Sequence, residues 1–244
     1  MYVRILFAIV FVLIPSLSYS SNIKEKMIRE FAKDYPKVGK VYSNGLRSGN
    51  AFEISTAATF YIIDNKCKKS DYWLNELEIY PDEYNEFLGI SYANGQCREQ
   101  SFLLAYNHLS MCEKRSYTCK VNLLLMLADK EDYKEKAFNI ANDLCQFKMG
   151  LAMNFVGNCY LRGYATVPNI DRAVFWYFLA IKYAASQEER DDSYAMVLKI
   201  SKTMNAKKLK TIIAKAEQWT PTPDPSVKST MVGSSYCIGM QQRR

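Results

Sequence analysis

Small side chains recur every 36 residues along this chain, and this spacing limits the folds open to it. Ser101, Ala137 and Ala173 each stand near the start of an apolar segment with helical periodicity. A fixed period of about 20–50 residues is typical of helical repeats, in which each unit buries its apolar face against its neighbours. The spacing therefore predicts an all-α protein of stacked helix pairs.

A second motif, glycine–tyrosine–glycine at intervals of three residues, occurs twice. The copies are Gly89, Tyr92 and Gly95, and Gly157, Tyr160 and Gly163. A glycine inside a helix lets a neighbouring helix approach closely, and a tyrosine one turn later fills the adjoining groove. A glycine at a helix end adopts the left-handed conformation of a C-terminal cap. The motif predicts a close-packing first helix in each pair, followed by a capped turn.

An aromatic run at residues 175–178 is either a ligand-binding box or the core face of a second helix. Phe175 falls on one helical stripe and Trp176 on the next, which is typical of a helix packed on both flanks. We therefore interpret the run as core, with the hydroxyl of Tyr177 directed to the outside. Asp171, at the head of this helix, is expected to cap backbone amides or to favour the helix dipole.

Between residues 152 and 180 the chain resembles the Sel-one-like repeat family (SLR), relatives of the tetratricopeptide repeats. The matching residues are Ala152, Val156, Gly157, Tyr160, Gly163, Asp171, Arg172, Ala173, Trp176, Tyr177 and Ala180. Residues 82–112 match in their first helix, and residues 117–147 mainly in their second. The resemblance implies a right-handed α-α superhelix, or solenoid, that binds other proteins.

The predicted repeats span residues 81–219, and the segments on either side differ from them. Residues 21–80 do not match the pattern, and we interpret them as a helical N-terminal cap or a divergent repeat. Apolar periodicity predicts helices there at 23–34, 51–64 and 71–79. From Thr220 the chain is rich in proline, serine and threonine, which predicts a disordered tail at 220–244.

The first twenty residues have the composition of a secretory signal. Arg4 precedes an apolar run from Ile5 to Ile14 that is about half as long as a bilayer span. Small residues at Ser18 and Ser20 then form a cleavage site, so residues 1–20 are interpreted as a signal peptide cleaved near Ser20. An uncleaved anchor helix is the alternative. The mature protein is expected to be periplasmic or secreted, without stable membrane insertion.

Seven cysteines follow the predicted signal, which indicates disulfide bonds in an oxidising compartment. Cys112 and Cys119 lie on either side of a helix turn at matched heights, and they form the first expected pair. Cys67 follows the predicted helix at 51–64, and Cys97 follows the helix at 82–95, two helices further along the stack. Both cysteines are therefore expected at the same edge, and they form the second pair.

The other three cysteines do not complete a third pair. Cys145 and Cys159 straddle a turn unevenly, at heights too different for a bond. Cys145 lies near the Cys112 edge and could compete for that pair. Cys159 is expected to be buried and Cys237 to be free.

Residues with catalytic chemistry do not form a recognisable site in this sequence. His108 is the single histidine, and Cys112, one turn away, is explained by the disulfide. Ser21 and Lys24 form a Ser-x-x-Lys pattern, and cysteine-rich members of the SLR family have been described as binding or hydrolysing β-lactams. The other elements of that chemistry are missing. We therefore expect no enzyme activity, no cofactor and no metal, with the acidic residues at 188–192 as the remaining metal candidate.

A binding function is the interpretation that these observations favour. The net charge of +7 does not require a nucleic-acid partner, and the lysines at 205–210 are typical of a solvated helix face. Stacked repeats form a concave face suited to a folded protein, lined by the first helix of each pair. The residues expected to be exposed there for protein binding are Asn85, Ser91, Asn154, Asn158 and Arg162.

Three biological roles remain open at this stage. The first is a periplasmic inhibitor or immunity-type protein that binds a secreted effector, as some exported relatives in the SLR family do. The second is a general envelope or host-interaction adaptor. The third is a β-lactam-hydrolysing enzyme. In the first two roles the partner is a protein, and the oligomeric state is left open.

Overall fold

The computed structural model describes residues 21–227, and every regular element in that range is helical. The helices are α1 (21–34), α2 (Pro36–Ser48), α3 (Ala51–Ile63), α4 (Cys67–Glu76), α5 (Pro81–Asn94), α6 (Phe102–Cys112), α7 (Tyr117–Leu127), α8 (Lys134–Cys145), α9 (Gly150–Arg162), α10 (Ile170–Tyr183), α11 (Gln187–Ser201) and α12 (Ala206–Gln218). None of the helices in the described range is long and apolar enough to cross a membrane. The predicted signal at 1–20 and Cys237 lie outside the described residues.

The described chain divides into two compact units. The first holds residues 21–87 with Gln96–Glu99, and the second holds Leu88–Gly95 with residues 100–227. In the second unit each helix from α6 to α10 packs against the next one in the chain, and α10 also packs against α11 and α12. This sequential packing confirms the prediction of an all-α protein of stacked helices.

The first unit is built around an aromatic cluster. Phe31 and Tyr61 are fully buried, and Tyr35 and Phe60 complete the cluster, with ring centroids between 4.9 and 6.1 Å apart. The Tyr35 hydroxyl donates to the Asp64 carboxylate at 2.6 Å. Burial and the neighbouring acidic groups raise the pKa of both tyrosines, so these rings stay neutral in the core.

Helix α2 lies between two predicted helices, in a segment where apolar periodicity predicts none. Pro36 suits the first turn of a helix, and Gly49 ends α2 in the left-handed conformation with a φ of 78°. Only Gly39 and Leu46 of α2 are buried, so the helix lacks the apolar stripe on which periodicity depends. Gly39 packs directly against the backbone of Ala32 in α1, where a side chain would not fit.

Both expected disulfides are present, one in each unit. Cys67 at the start of α4 is bonded to Cys97, and their Cα atoms are 5.3 Å apart. Cys112 at the end of α6 is bonded to Cys119 in α7, with Cα atoms 6.0 Å apart. Each bond joins elements that already belong to the same unit.

The small residue of each second helix is not spaced as regularly as the sequence implies. Ala137 and Ala173 are each the fourth residue of their helix and are fully buried, as expected. Ser101 instead precedes α6, and its hydroxyl caps the helix by accepting from the Leu104 amide at 3.3 Å. The equivalent of the two alanines is Ala105, the fourth residue of α6, which is also fully buried. The constant period of 36 residues is therefore wrong for the first of the three repeats, whose second helix is α6.

The interior glycines of the repeated motif mark close helix contacts. A Cβ atom added to Gly157 would lie 3.0 Å from the ring of Tyr177 in α10. A Cβ atom added to Gly89 would lie 2.5 Å from the side chain of Leu109 in α6. Ordinary contacts are longer, so each glycine lets the second helix lie directly on the first. Tyr160 packs edge-on against Phe138, which fills the adjoining space.

The final glycines of the motif are left-handed caps, as predicted. Gly95 has a φ of 68° and Gly163 a φ of 75°. The backbone amide of Gly163 donates to the Cys159 carbonyl at 2.9 Å, which satisfies a carbonyl at the end of α9. Tyr92, the middle residue of the first copy, stacks on His108 with ring centroids 5.7 Å apart.

The interpretation of the aromatic run as core is confirmed, but the expectation for Tyr177 is wrong. Tyr177 is fully buried, because its ring occupies the space that Gly157 leaves open. Its hydroxyl donates to Asn158 Oδ1 at 3.1 Å, and burial raises the pKa of Tyr177 to about 12. Phe175 and Trp176 are half-buried and pack edge-on against each other.

Helix α10 begins with a cap two residues before Asp171, the acid named from the sequence. The side chain of Asn169 accepts from the Arg172 amide at 3.0 Å, which makes Asn169 the N-cap. Asp171 lies inside the first turn, where it favours the helix dipole. It also pairs with Lys208 of α12 at 2.8 Å.

Residues 220–227, the start of the predicted tail, have defined contacts in the second unit. The Thr222 amide donates to Gln146 Oε1 at 2.9 Å. Asp224 accepts from both the amide and the hydroxyl of Ser226, and Val227 is buried. The disorder predicted for 220–244 stays a prediction.

Candidate functional site

A groove in the second unit contains two of the five residues expected to bind protein. It lies between the α7–α8 connection and the C-terminal half of α9, and its volume is about 550 Å³. Asn158 and Arg162 line it from α9, one helical turn apart. Its other lining residues are Ala128, Asp129, Glu131, Lys134, Phe155, Cys159, Gly163 and Tyr164. We call it the α9 groove.

Tyr164 shapes one side of the α9 groove. The left-handed residues Gly163 and Ala165 turn the chain sharply after α9. This turn brings the Tyr164 hydroxyl to the Lys130 carbonyl, 3.1 Å away on the opposite side of the groove. Phe155 packs edge-on against Tyr164, with ring centroids 6.4 Å apart, and forms an apolar wall. Sequence reasoning missed both aromatic residues, because nothing in the local pattern separates them from core aromatics.

Four charged side chains surround the α9 groove. Lys134 and Glu131 form an ion pair, so their charges largely cancel. Asp129 is only 4.0 Å from the adjacent Lys130 and remains mostly solvated. Arg162 is exposed and forms no ion pair within residues 21–227. The groove therefore presents the unpaired guanidinium of Arg162 and the mostly solvated carboxylate of Asp129 next to an apolar wall.

The two asparagines of α9 belong to an internal hydrogen-bond network. Asn158 accepts from the Tyr177 hydroxyl and donates to Asn154 Oδ1 at 2.8 Å. Asn154 in turn donates to the hydroxyl of Ser193 in α11 at 2.7 Å. This chain of hydrogen bonds links α9, α10 and α11. Both asparagines were expected to be exposed for protein binding, and both are instead half-buried and bonded within the unit. Asn158 still reaches the groove with part of its side chain.

The two expected binding residues of α5 lie away from the α9 groove. Ser91 is fully buried, which corrects the expectation that it is exposed. The physical reason is that residues 86–91 are buried without interruption, so this part of α5 has no solvent face. Asn85 is half-buried, and its amide donates to the Pro81 carbonyl at 2.6 Å.

The two free cysteines are buried thiols. Cys145 lies in the core of the second unit, and Cys159 lies beneath the α9 groove. Burial raises the pKa of the Cys145 thiol, and it raises the pKa of Cys159 to about 12 against the opposing effect of Arg162. Both thiols are therefore protonated at neutral pH, whereas the thiolate is the reactive form.

The remaining chemical candidates from the sequence have structural partners. Lys24 Nζ lies 2.9 Å from the Glu76 carboxylate, so the lysine of the Ser-x-x-Lys pattern is held in an ion pair. Glu189 accepts from the Ala185 amide at 2.9 Å, and the hydroxyl of the N-cap Ser186 accepts from the Glu189 amide, so both side chains stabilise the start of α11. No group of three or more metal-binding side chains occurs within residues 21–227.

No family model, curated protein or solved structure matches this chain. The resemblance to SLR repeats therefore depends on the residues of the chain itself. Among these, the interior glycine Gly157, the cap Gly163 and the buried Ala173 lie where a close-packed helix pair needs them.

Proposed function

We propose that this chain is an exported, non-catalytic helical-repeat protein of the SLR type that binds a protein partner in the α9 groove. The observation that carries this proposal is Arg162, an exposed cation without an ion pair in the described range, beside the apolar wall of Phe155. Arginine and aromatic residues are enriched at the centres of protein interfaces. A partner segment that combines a carboxylate with an apolar side chain would satisfy both features.

Two disulfides support the proposal of export, since such bonds persist in oxidising compartments. In its narrower form, the proposal is that the protein is a periplasmic inhibitor of the immunity type and that the partner is a secreted effector. The Tyr164–Lys130 hydrogen bond fixes one side of the groove before a partner arrives, and such preorganisation favours the tight binding that inhibition requires.

The test compares two charge reversals in the second unit. Arg162→Glu places a negative charge in the groove, and Arg190→Glu makes the same change at an exposed position of α11. Each purified protein is used to capture partners from an envelope extract of the source cells, and captured proteins are identified by mass spectrometry. We expect Arg162→Glu to lower capture of the partner by at least about tenfold, while Arg190→Glu retains it.

Equal capture by both variants would show that the α9 groove is not the binding site. If the unmodified protein captured no specific partner, the proposed binding function would be wrong. For the immunity role, co-expression with the captured effector must protect cell growth, and Arg162→Glu must abolish that protection.

A further inference from the structure

Helices α1 and α2 of the first unit carry an unusual excess of positive charge. Residues 21–50 contain seven basic and three acidic residues, and residues 35–52 contain no acid. Five of the basic side chains are exposed: Lys26, Arg29, Lys33, Lys37 and Lys40. We call these five residues the basic face.

The acidic residues of α1 are all engaged by cations other than those of the basic face. Glu30 and Asp34 both contact Lys69 of α4 at 2.9 Å. Hydrogen bonding to Lys69 holds the pKa of Asp34 below its usual range, so this carboxylate stays ionised. Glu25 pairs with Arg47 of α2 at 2.8 Å. The carboxylates are therefore neutralised within the first unit.

The basic face has no such compensation. None of its five side chains forms an ion pair or a hydrogen bond within the part of the chain that the structure describes. Like charges three or four residues apart on a helix repel one another, as between Lys26, Arg29 and Lys33. The arrangement therefore does not stabilise the folded unit. An excess of exposed charges of one sign on two consecutive helices instead attracts a partner of opposite charge and speeds its association.

The chemistry of the surrounding residues selects the kind of partner. A helix that binds a lipid surface buries an apolar face in it, but Ile28 and Phe31 of α1 are already buried in the core. Val41 of α2 is exposed, and one such side chain does not form an apolar face. Binding of single-stranded nucleic acid uses exposed aromatic rings, but the ring of Tyr35 is enclosed by Phe31 and Phe60. A carboxylate-rich protein surface needs only dispersed, solvated cations, which the basic face supplies.

We propose that the basic face is a second docking surface, which receives an acidic protein surface and accelerates its association. The inference rests on the proposed function only in that the partner is a protein. It adds the chemistry of that partner, and it involves a different unit from the α9 groove.

The test uses a fluorescent poly-L-glutamate peptide as the probe and measures its binding to the full chain at low salt. One variant replaces the basic face by glutamine at all five positions. The matched control replaces five exposed lysines of α12 and the C-terminal end of α11 by glutamine: Lys199, Lys202, Lys207, Lys210 and Lys215. Both variants lose the same charge, and circular dichroism checks that both are folded.

We expect the basic-face variant to bind the probe at least about tenfold more weakly, and the control variant to differ little from the unmodified chain. Equal loss in both variants would overturn the inference, because net charge alone would then explain binding. The inference would also be overturned if phosphatidylglycerol vesicles or an oligothymidine bound more tightly than the poly-L-glutamate probe and lost binding in the basic-face variant. The partner would then be a lipid or a nucleic acid.

The two proposals fail independently. Arg162 is intact in both variants, so failure of this test does not affect the α9 groove, and failure of the Arg162→Glu test does not affect the basic face.

Discussion

At the residue scale, one missing side chain determines how α9 and α10 meet. Gly157 faces the ring of Tyr177, which lies within van der Waals contact of the glycine backbone. The same ring delivers its hydroxyl to Asn158, and Asn158 continues the hydrogen bonds towards Asn154 and Ser193. Close packing at Gly157 therefore positions the polar network that lies behind the α9 groove.

We expect Gly157→Ala to destabilise the protein by about 1–3 kcal/mol, although alanine favours helix more than glycine does. The reason is that the new Cβ atom would lie 3.0 Å from the Tyr177 ring, which is itself fully buried. Urea denaturation followed by circular dichroism measures the change. The control is the same substitution in a Tyr177→Ala background, where the ring is absent and the cost should disappear. An equal cost in both backgrounds would show that the ring contact is not the cause.

At the element scale, helix boundaries depend on caps that lie outside the apolar pattern. Helix α10 starts at Asn169, whose side chain is the N-cap, and α2 depends on Pro36 and Gly49 at its two ends. Periodicity alone missed α2 because most of its length is exposed. For Asp171 the sequence left a capping role and a dipole role open, and the structure gives the cap to Asn169. Local capping chemistry in the sequence contained the correct signals in both cases.

We expect Asn169→Ala to cost about 1 kcal/mol of stability, because the Arg172 amide loses its acceptor. Asp171→Ala should cost less, about 0.5 kcal/mol, since it removes only a surface ion pair and a charge near the helix dipole. Thermal unfolding of the two variants side by side provides the comparison. A larger loss from Asp171→Ala would mean that the acid, and not the asparagine, holds the start of α10.

At the scale of the whole molecule, each unit carries its own covalent cross-link. The Cys67–Cys97 bond closes a loop with a sequence separation of 30 in the first unit, and the Cys112–Cys119 bond closes one with a separation of 7 in the second. A longer loop loses more freedom in the unfolded chain when it is closed, so the first bond should stabilise more.

We expect reduction of Cys67–Cys97 to cost about 3.6 kcal/mol and reduction of Cys112–Cys119 about 2.4 kcal/mol. Each bond is studied alone, in a chain whose other pair is replaced by alanine. Urea denaturation with and without reductant then isolates the cross-link, because each variant is its own control. If reduction of Cys112–Cys119 costs more, loop entropy does not govern the difference.

The candidate site shows why burial was harder to predict than helix content. Arg162 was expected at the surface and is there, since it is the last residue of its helix and is long and charged. Ser91 was also expected to be exposed for protein binding, but it is buried, in a stretch of α5 at 86–91 that has no exposed residue. The Tyr164–Lys130 bond, which closes one side of the α9 groove, joins residues 34 positions apart.

The sequence by itself determined the helical class, the close-packing glycines, the left-handed caps and the two disulfide pairs. The helical class and the caps depend on backbone geometry and on neighbours within a turn or two, whereas the glycine contacts and the disulfide pairs follow from the regular alternation of helices along the chain. The tertiary structure alone decided that Tyr177 points inward, that Ala105 replaces Ser101 at the helix contact, and that Lys69 draws the acids of α1 away from the basic face. Those outcomes depend on which distant side chains share a space, and only the folded chain brings them together.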